Sequence, residues 1–272
     1  MTNTSHITVA PTIKVKTLTK VAVEIDPHIV CAVILVPHNL IDVDICGKST
    51  CEWVKAALEP FKPVTVDIKR GDDIVSIVKD NTAKSDAKYC VVAYADTPLL
   101  TTASIEQALS FTATYNHKAV QLPRGWVFDM AFVRSASNVD SIIAPNLKED
   151  DFTIAYNFSQ IATINTFMRA RINERHMQNG VYITDPYSVY IDNGVTIGVG
   201  TKINSGVVIT GTAVIGNNVN IGANCNIINN VKIGDNAQIE VGSTITQDVP
   251  NNARSMARAK QFIQENFRKD EV

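Results

Sequence analysis

Isoleucine recurs at every sixth position through the carboxyl-terminal third of the chain, at 191, 197, 203, 209, 215, 221, 227, 233, 239 and 245. A period of six suits neither an α-helix nor an ordinary strand. It is the mark of a parallel coil in which three short strands make one turn of about eighteen residues. The residue two before each isoleucine is small or β-branched: Val189, Val195, Thr201, Val207, Ala213, Val219, Cys225, Val231, Ala237 and Ser243. Residues two apart on a strand share a face, so each hexad sends one bulky and one small side chain inward. Gly198, Gly216, Gly222 and Gly234 directly follow their isoleucines, and Asn217, Asn218, Asn224, Asn229, Asn230 and Asn236 lie between. Gly and Asn accept left-handed backbone angles, so both sets are expected at the corners of the prism. A β-sandwich would not hold this phase over so long a run. Roughly three to four coils are present, and prisms this short commonly associate side by side, so a homotrimer is expected. Pro250 stops the ladder, and NARSMARAKQFIQENFRK then reads as an amphipathic helix. Its Met256, Phe262, Ile263 and Phe267 are placed to cover the open end and protect unpaired strand edges.

Composition excludes several classes. Of 272 residues, 45% are apolar and 19% charged, with a formal net charge of −2, so a sizeable core can form while concentrated positive charge for nucleic acid is lacking. The longest apolar run, around Ile29 to Pro37, is too short for a membrane helix, and the N-terminus has no apolar signal-peptide core. Cys31, Cys46, Cys51, Cys90 and Cys225 are odd in number and contain no C-x-x-C pair. Reduced, mostly buried thiols in a cytoplasmic protein are expected.

The first half reads differently. CAVILVP and YCVVAYAD (Tyr89 to Asp96) are apolar runs suited to buried parallel strands. Between and after them come helical stretches: STCEWVKAALE, with Ser49 or Thr50 as N-cap and Trp53, Val54, Ala57 and Leu58 on one face; DDIVSIVKDN; and TTASIEQALSF. This order predicts a layered α/β domain with a parallel sheet. Ligands in such sheets bind beyond the carboxyl ends of strands. Asp96 stands at one such end, where a carboxylate can hold Mg²⁺ against phosphate oxygens or simply cap the turn before Pro98. ITVAPTIKVK and KVAVEI, near the N-terminus, read as further strands.

YNFSQIATINTFMRARINERHMQNG joins the halves. Asn157 and Gln160 have capping-box spacing, Ile161, Ile164, Phe167, Met168 and Ile172 make an apolar face, and Gly180 is placed to end the helix. A helix of roughly 20 residues spans about 30 Å and is expected to hold the halves apart as a rod.

RARINERHMQNGVYITDPYSVYIDNGVTIG resembles the junction of the bacterial bifunctional N-acetylglucosamine-1-phosphate uridyltransferase/glucosamine-1-phosphate acetyltransferases. VGSTITQDVPNNARSMARAKQ is similar to their last coil and tail, VVAYADTPLLTTASIEQAL to their metal-aspartate strand, and CAVILVP and CGKSTCEWVKAAL to their first strand and helix. The likeness is dense from about Tyr156 to Gly198 and from Val241 to Gln261 and patchy before Tyr156. It implies a Rossmann-like nucleotidyltransferase-type α/β domain over 1–155, a connecting helix over 156–180, a left-handed β-helix over 181–250 and a capping helix over 251–272. It also implies a cytoplasmic homotrimer tied to a nucleotide sugar and to cell-wall precursors, Mg²⁺ at Asp96, vestigial substrate contacts at Tyr94, Ala95, Asp96 and Lys48, and an acetyl-CoA-like contact at Arg258.

The departures from the family are specific. Its glycine-rich loop and basic residues after the first strand are replaced by PHNLIDVDICGKS, with His38 about where a lysine belongs. Its base-reading segment has no counterpart before YCVVAYAD, the glycine before the metal aspartate is Ala95, and Tyr156 replaces the asparagine that shares the metal. LPRGWVF (Leu122 to Phe128) echoes a sugar-binding loop with Val127 in place of a glycine. Nucleotidyl transfer relies on cations and positioning to offset crowded phosphate charge. His6, His28, His38, His117 and His176 all lie outside the hexads, so no base for acyl transfer is offered there, and His176 is expected to be a surface or capping residue of the connecting helix. The expected function is therefore a relative of UDP-N-acetylglucosamine pyrophosphorylase with lost or altered catalysis, serving as scaffold or partner. The alternatives are an active, divergent Mg²⁺-dependent sugar-1-phosphate nucleotidyltransferase and a hexapeptide-repeat acyltransferase.

Overall fold

The computed structural model describes residues 23–135, 141–259 and 263. The candidate strand ITVAPTIKVK and the first half of KVAVEI lie outside these residues, and the described half, Val23 to Ile25, is not a strand as expected. Strand β1 (Val30–Pro37) leads to a small hairpin, β2 (Asp44–Ile45) and β3 (Lys48–Ser49), and then to α1 (Thr50–Leu58). There follow β4 (Pro63–Ile68), α2 (Ile74–Thr82), β5 (Tyr89–Tyr94), α3 (Thr102–Tyr115), β6 (Ala119–Leu122), β7 (Gly125–Asp129), α4 (Met130–Ser135) and β8 (Ile142–Ile143). The caps are local and follow from sequence. Ser49 and Glu52 close a reciprocal capping box on α1, Asp73 accepts from the Val75 amide, and Thr101 accepts from Ser104.

The sheet order is β4-β1-β5-β7-β6-β8. β1 pairs in parallel with β4 and β5, as expected, but β7 runs antiparallel to both β5 and β6. The sheet is thus mixed rather than wholly parallel. The reason is the Pro123-Arg124 turn, which reverses the chain between β6 and β7 with Leu122 opposite Gly125, so no crossover helix intervenes.

Helix α5 (Phe158–Gln178) starts where Asn157 accepts from the Gln160 amide and ends before Gly180, whose φ is +84°. Ile161, Ile164, Met168 and Ile172 are buried, while Phe167 stays exposed. A buried carboxylate ties the helix to the α/β layer: Asp151 accepts from the Arg171 guanidinium at 2.5 Å and from Thr101 Oγ1 at 2.8 Å, and also from the Ser104 hydroxyl. The helix does not act as a spacer. Ile45, Cys46 and Leu99 share one apolar cluster with α5 and the coils, and the Cys46 carbonyl accepts from the Asn193 amide at 2.9 Å. The β2–β3 hairpin reaches past the helix and seats directly on the first coil.

The hexads form three parallel sheets. One stacks the strands that begin at Tyr190, Val208, Asn226 and Thr244. A second holds Thr196, Val214 and Lys232, and the third runs through Tyr182, Lys202, Asn220, Gln238 and Arg254. Within each stack isoleucine lies on isoleucine, as Ile203 on Ile221 and Ile221 on Ile239. Nine of the ten periodic isoleucines are buried, as are all ten residues two positions before them. The half-buried one, Ile197, lies on the first strand of its sheet.

The corners correct one expectation. Left-handed backbone is found at Gly200, Gly206, Gly211 and Gly242 and at Asn218, Asn224, Asn229 and Asn236. The glycines that directly follow isoleucines are not among them. Their need is space: a Cβ on Gly222 would lie 2.6 Å from the Val241 amide nitrogen of the next coil. Side chains also ladder along one corner. Asn217 Oδ1 accepts from the Val199 amide, Asp235 Oδ1 from Asn217, and Asn251 Oδ1 from Asp235, at 3.1, 2.7 and 3.0 Å.

The helix expected from Asn252 does not begin there. Arg254–Ser255 adds a strand to the last coil, residues 256–259 are not helical, and Met256 is exposed. The Ala257 carbonyl accepts from the Thr244 amide at 3.0 Å, so the backbone extends the ladder where a helix was expected to cover it. Phe262 and Phe267 lie outside the described residues, and Ile263 is exposed.

Candidate functional site

The carboxyl ends of β1 and β5 form the position at which an α/β sheet offers a crevice. Backbone bonds hold it on three sides. The Ala95 amide donates to Leu35 at 2.9 Å, the His38 amide to Ile68 at 3.2 Å, and the Ala155 amide to the Asp96 carbonyl at 2.7 Å. Thr97 Oγ1 donates to the Tyr94 carbonyl at 2.9 Å and closes the turn that carries Asp96. Tyr94, Ala95 and Asp96 therefore stand together, with Ala95 fully buried and Asp96 only 7% exposed.

The feature that sequence reasoning missed is Arg124. Its Nε donates to Asp96 Oδ1 at 3.2 Å and a terminal nitrogen to Oδ2 at 2.6 Å, so both carboxylate oxygens are engaged by one guanidinium. The same guanidinium carbon sits 3.8 Å from the centroid of the Tyr94 ring, and Trp126 packs against Tyr94 at 6.1 Å. Gly125 makes this possible. Its φ is +132°, and a Cβ there would lie 2.1 Å from the Val92 carbonyl oxygen, so only glycine lets β7 approach β5 this closely. Facing Ala93, it places the preceding arginine beside Tyr94. The Tyr94 hydroxyl is raised above its ordinary pKa by burial, with Arg124 opposing and Asp96 adding to the rise.

A divalent cation needs free carboxylate oxygens. Those of Asp96 lie on Arg124, and the expected second ligand position holds Tyr156, an aromatic side chain 65% exposed. The residues present do not fit Mg²⁺. Among the described residues no group of three or more His, Cys, Asp or Glu is placed to hold a metal.

The other candidates lie elsewhere. Lys48 does not join Asp96. Its ammonium lies 5.1 Å from the Trp53 ring centroid, and it borders a separate cavity of about 480 Å³ with Glu52, Lys55 and Glu59. Arg258 donates to the Val241 carbonyl at 3.0 Å and tethers the tail to the last coil. His176 is not a surface residue. It is buried where the last turn of α5 meets the first coil, and burial, with the Arg175 charge adding, lowers its pKa to about 4. No helix among the described residues is long and apolar enough to cross a membrane.

Comparison with known proteins agrees with the coils most directly. Residues 212–247 match the family model described as bacterial transferase hexapeptide (six repeats). The bifunctional protein GlmU of Enterococcus faecalis (strain ATCC 700802 / V583) is 51% identical over 41 residues, which are 15% of this chain and 9% of that protein. The bifunctional protein GlmU of Streptococcus sanguinis (strain SK36) is 27% identical over 161 residues, 58% of this chain and 34% of that protein. The matches thus span about a third or less of those relatives' length. Among solved structures, a cytidylyltransferase from Leptospira borgpetersenii serovar Hardjo-bovis aligns with a TM-score of 0.30 and 10% identity, over 39% of this chain and 62% of that one. A Neisseria gonorrhoeae serine acetyltransferase aligns with a TM-score of 0.27 and 19% identity, over 46% and 61%. Alignments this loose carry no argument about activity. The hexapeptide run and the partial sequence matches relate parts of the chain to the bifunctional GlmU proteins.

Proposed function

We propose that this chain is a non-catalytic relative of the sugar nucleotidyltransferases, a scaffold or partner protein that keeps the family architecture without its metal-dependent chemistry. One observation carries the reading: the Asp96 carboxylate, which the resemblance assigns to Mg²⁺, is occupied at both oxygens by Arg124 of the same chain. A guanidinium fixed between strands balances that charge but does not travel with a triphosphate or polarise its leaving group. The replacement of the glycine-rich loop by Pro37-His38-Asn39 points the same way, since that stretch offers no run of free amides to cradle phosphate. In this reading the prism is left-handed and assembles three copies side by side in the cytoplasm, with the exposed Val199, Val214 and Val241 supplying apolar surface on the coils.

Calorimetric titration with UTP, UDP-N-acetylglucosamine and acetyl-CoA, with and without Mg²⁺, tests the proposal, together with a pyrophosphate-release assay and sedimentation equilibrium. Silence toward all three ligands and a trimer mass are expected. Metal-dependent UTP binding that disappears in Asp96→Ala would instead assign an active, divergent nucleotidyltransferase. Acetyl-CoA binding weakened by Arg258→Ala would assign an acyltransferase.

A further inference from the structure

A pair of cysteines sits at the opposite end of the sheet from Asp96. Cys31 on β1 and Cys90 on β5 are direct partners across the parallel pairing. Registered residues on neighbouring strands point to the same face, and the strands run about 4.8 Å apart. That spacing falls within the Cα separations a disulfide spans, about 4.4–6.8 Å. Cys90 is fully buried in the apolar layer shared with Val33, Val92 and Phe128, while Cys31 is half-buried and meets solvent at the sheet's amino end. Arg134 from α4 donates to the Ser85 carbonyl at 2.9 Å, which brings its charge to the same end.

We propose that Cys31 and Cys90 form a reversible dithiol–disulfide site that takes a hydroperoxide as its oxidant. Cys31 is the attacking sulfur. The Cys90 thiol hydrogen bond, the Ser85 hydroxyl and the Arg134 guanidinium bring its pKa down to about 7 against the opposing effect of burial. Cys90, enclosed and facing Cys31, is pushed well above the ordinary thiol range. Burial raises the thiols of Cys46, Cys51 and Cys225, so the thiolate is concentrated on Cys31. Its sulfur attacks one peroxide oxygen, the O–O bond breaks, and hydroxide leaves as Cys31 becomes a sulfenic acid. The Cys90 sulfur then attacks the Cys31 sulfur. The S–S bond forms, the S–O bond breaks, and the departing hydroxide takes up the Cys90 proton as water. The two thiols are oxidised and one hydrogen peroxide is reduced to two waters. A disulfide here would tie β1 to β5 without touching Asp96, so the site stands apart from the proposed scaffold role.

The full chain, treated with hydrogen peroxide, alkylated and digested without reductant, provides the test. A Cys31–Cys90 linked peptide that dithiothreitol removes is expected, with the other three cysteines still alkylated. In Cys90→Ser, which keeps a hydrogen-bonding group beside the attacking sulfur but no thiol to resolve it, dimedone labelling is expected to accumulate at Cys31 roughly tenfold faster than at Cys51. Absence of the linked peptide from the oxidised wild-type chain overturns the proposal, and so does labelling of Cys31 no faster than Cys51.

Discussion

Arg124 meets Asp96 along both edges of the carboxylate, with bonds of 3.2 and 2.6 Å, while its planar face lies on the ring of Tyr94. One side chain thus ties the turn after β5 to the β6–β7 hairpin and engages both oxygens of the Asp96 carboxylate.

Loss of that arginine leaves a nearly buried carboxylate without a partner. Arg124→Ala is expected to lower unfolding stability by roughly 3 kcal/mol, read as a shift in urea midpoint at constant slope. Arg124→Lys is expected to recover only part, since an ammonium cannot reproduce two parallel bonds and a stacked face. A neutral result for Arg124→Ala would show that the pair contributes nothing to the fold.

Asp151 is a second buried carboxylate with a different duty, since Arg171, Thr101 and Ser104 converge on it from α5 and the start of α3. Asp151→Ala is expected to cost about 3–5 kcal/mol and to speed hydrogen exchange at the first turn of α3 and around position 171 of α5. Uniform exchange changes through the coils, with α3 untouched, would contradict this assignment.

His176 sets an acid limb. Its folded pKa of about 4 lies below its ordinary value of 6.5, so the folded chain holds fewer protons than the unfolded one between those values. Its contribution to stability is complete above pH 6.5 and is lost as pH falls toward 4, with a slope of at most about 1.4 kcal/mol per pH unit. Denaturant midpoints at pH 7.5, 6, 5 and 4 measure it, and His176→Leu is expected to flatten the curve over that window.

Inside the prism, Ile221 stacks between Ile203 and Ile239 and is fully buried. Ile221→Ala is expected to cost about 2–5 kcal/mol. Gly222→Ala tests close approach alone, because its added methyl meets the Val241 backbone. Thermal melts of the two variants check the pair, and an unshifted Gly222→Ala would mean that the next coil yields without penalty.

The repeats were legible because their information is local and redundant: a six-residue phase names the inward face of every strand, and no distant partner is needed to decode it. Helix caps at Ser49 and Asn157 were legible for the same reason, each side chain reaching an amide three residues on. The corner glycines were harder to interpret. One glycine can serve a backbone angle or a close approach, and only the neighbouring coil decides which. His176 was misplaced because a histidine at a helix end gives no sign of what packs over it.

By itself the sequence determined the coil, its inward residues, the central strands β1 and β5 and the helices α1, α2, α3 and α5, since periodicity and capping act over a few residues. The tertiary structure alone decided that β7 lies against β5, that the small hairpin bridges to the first coil, and that Arg124 fills the place beside Asp96. The last pair is 28 residues apart along the chain. Its meeting depends on strand order, and strand order is settled by how whole layers pack.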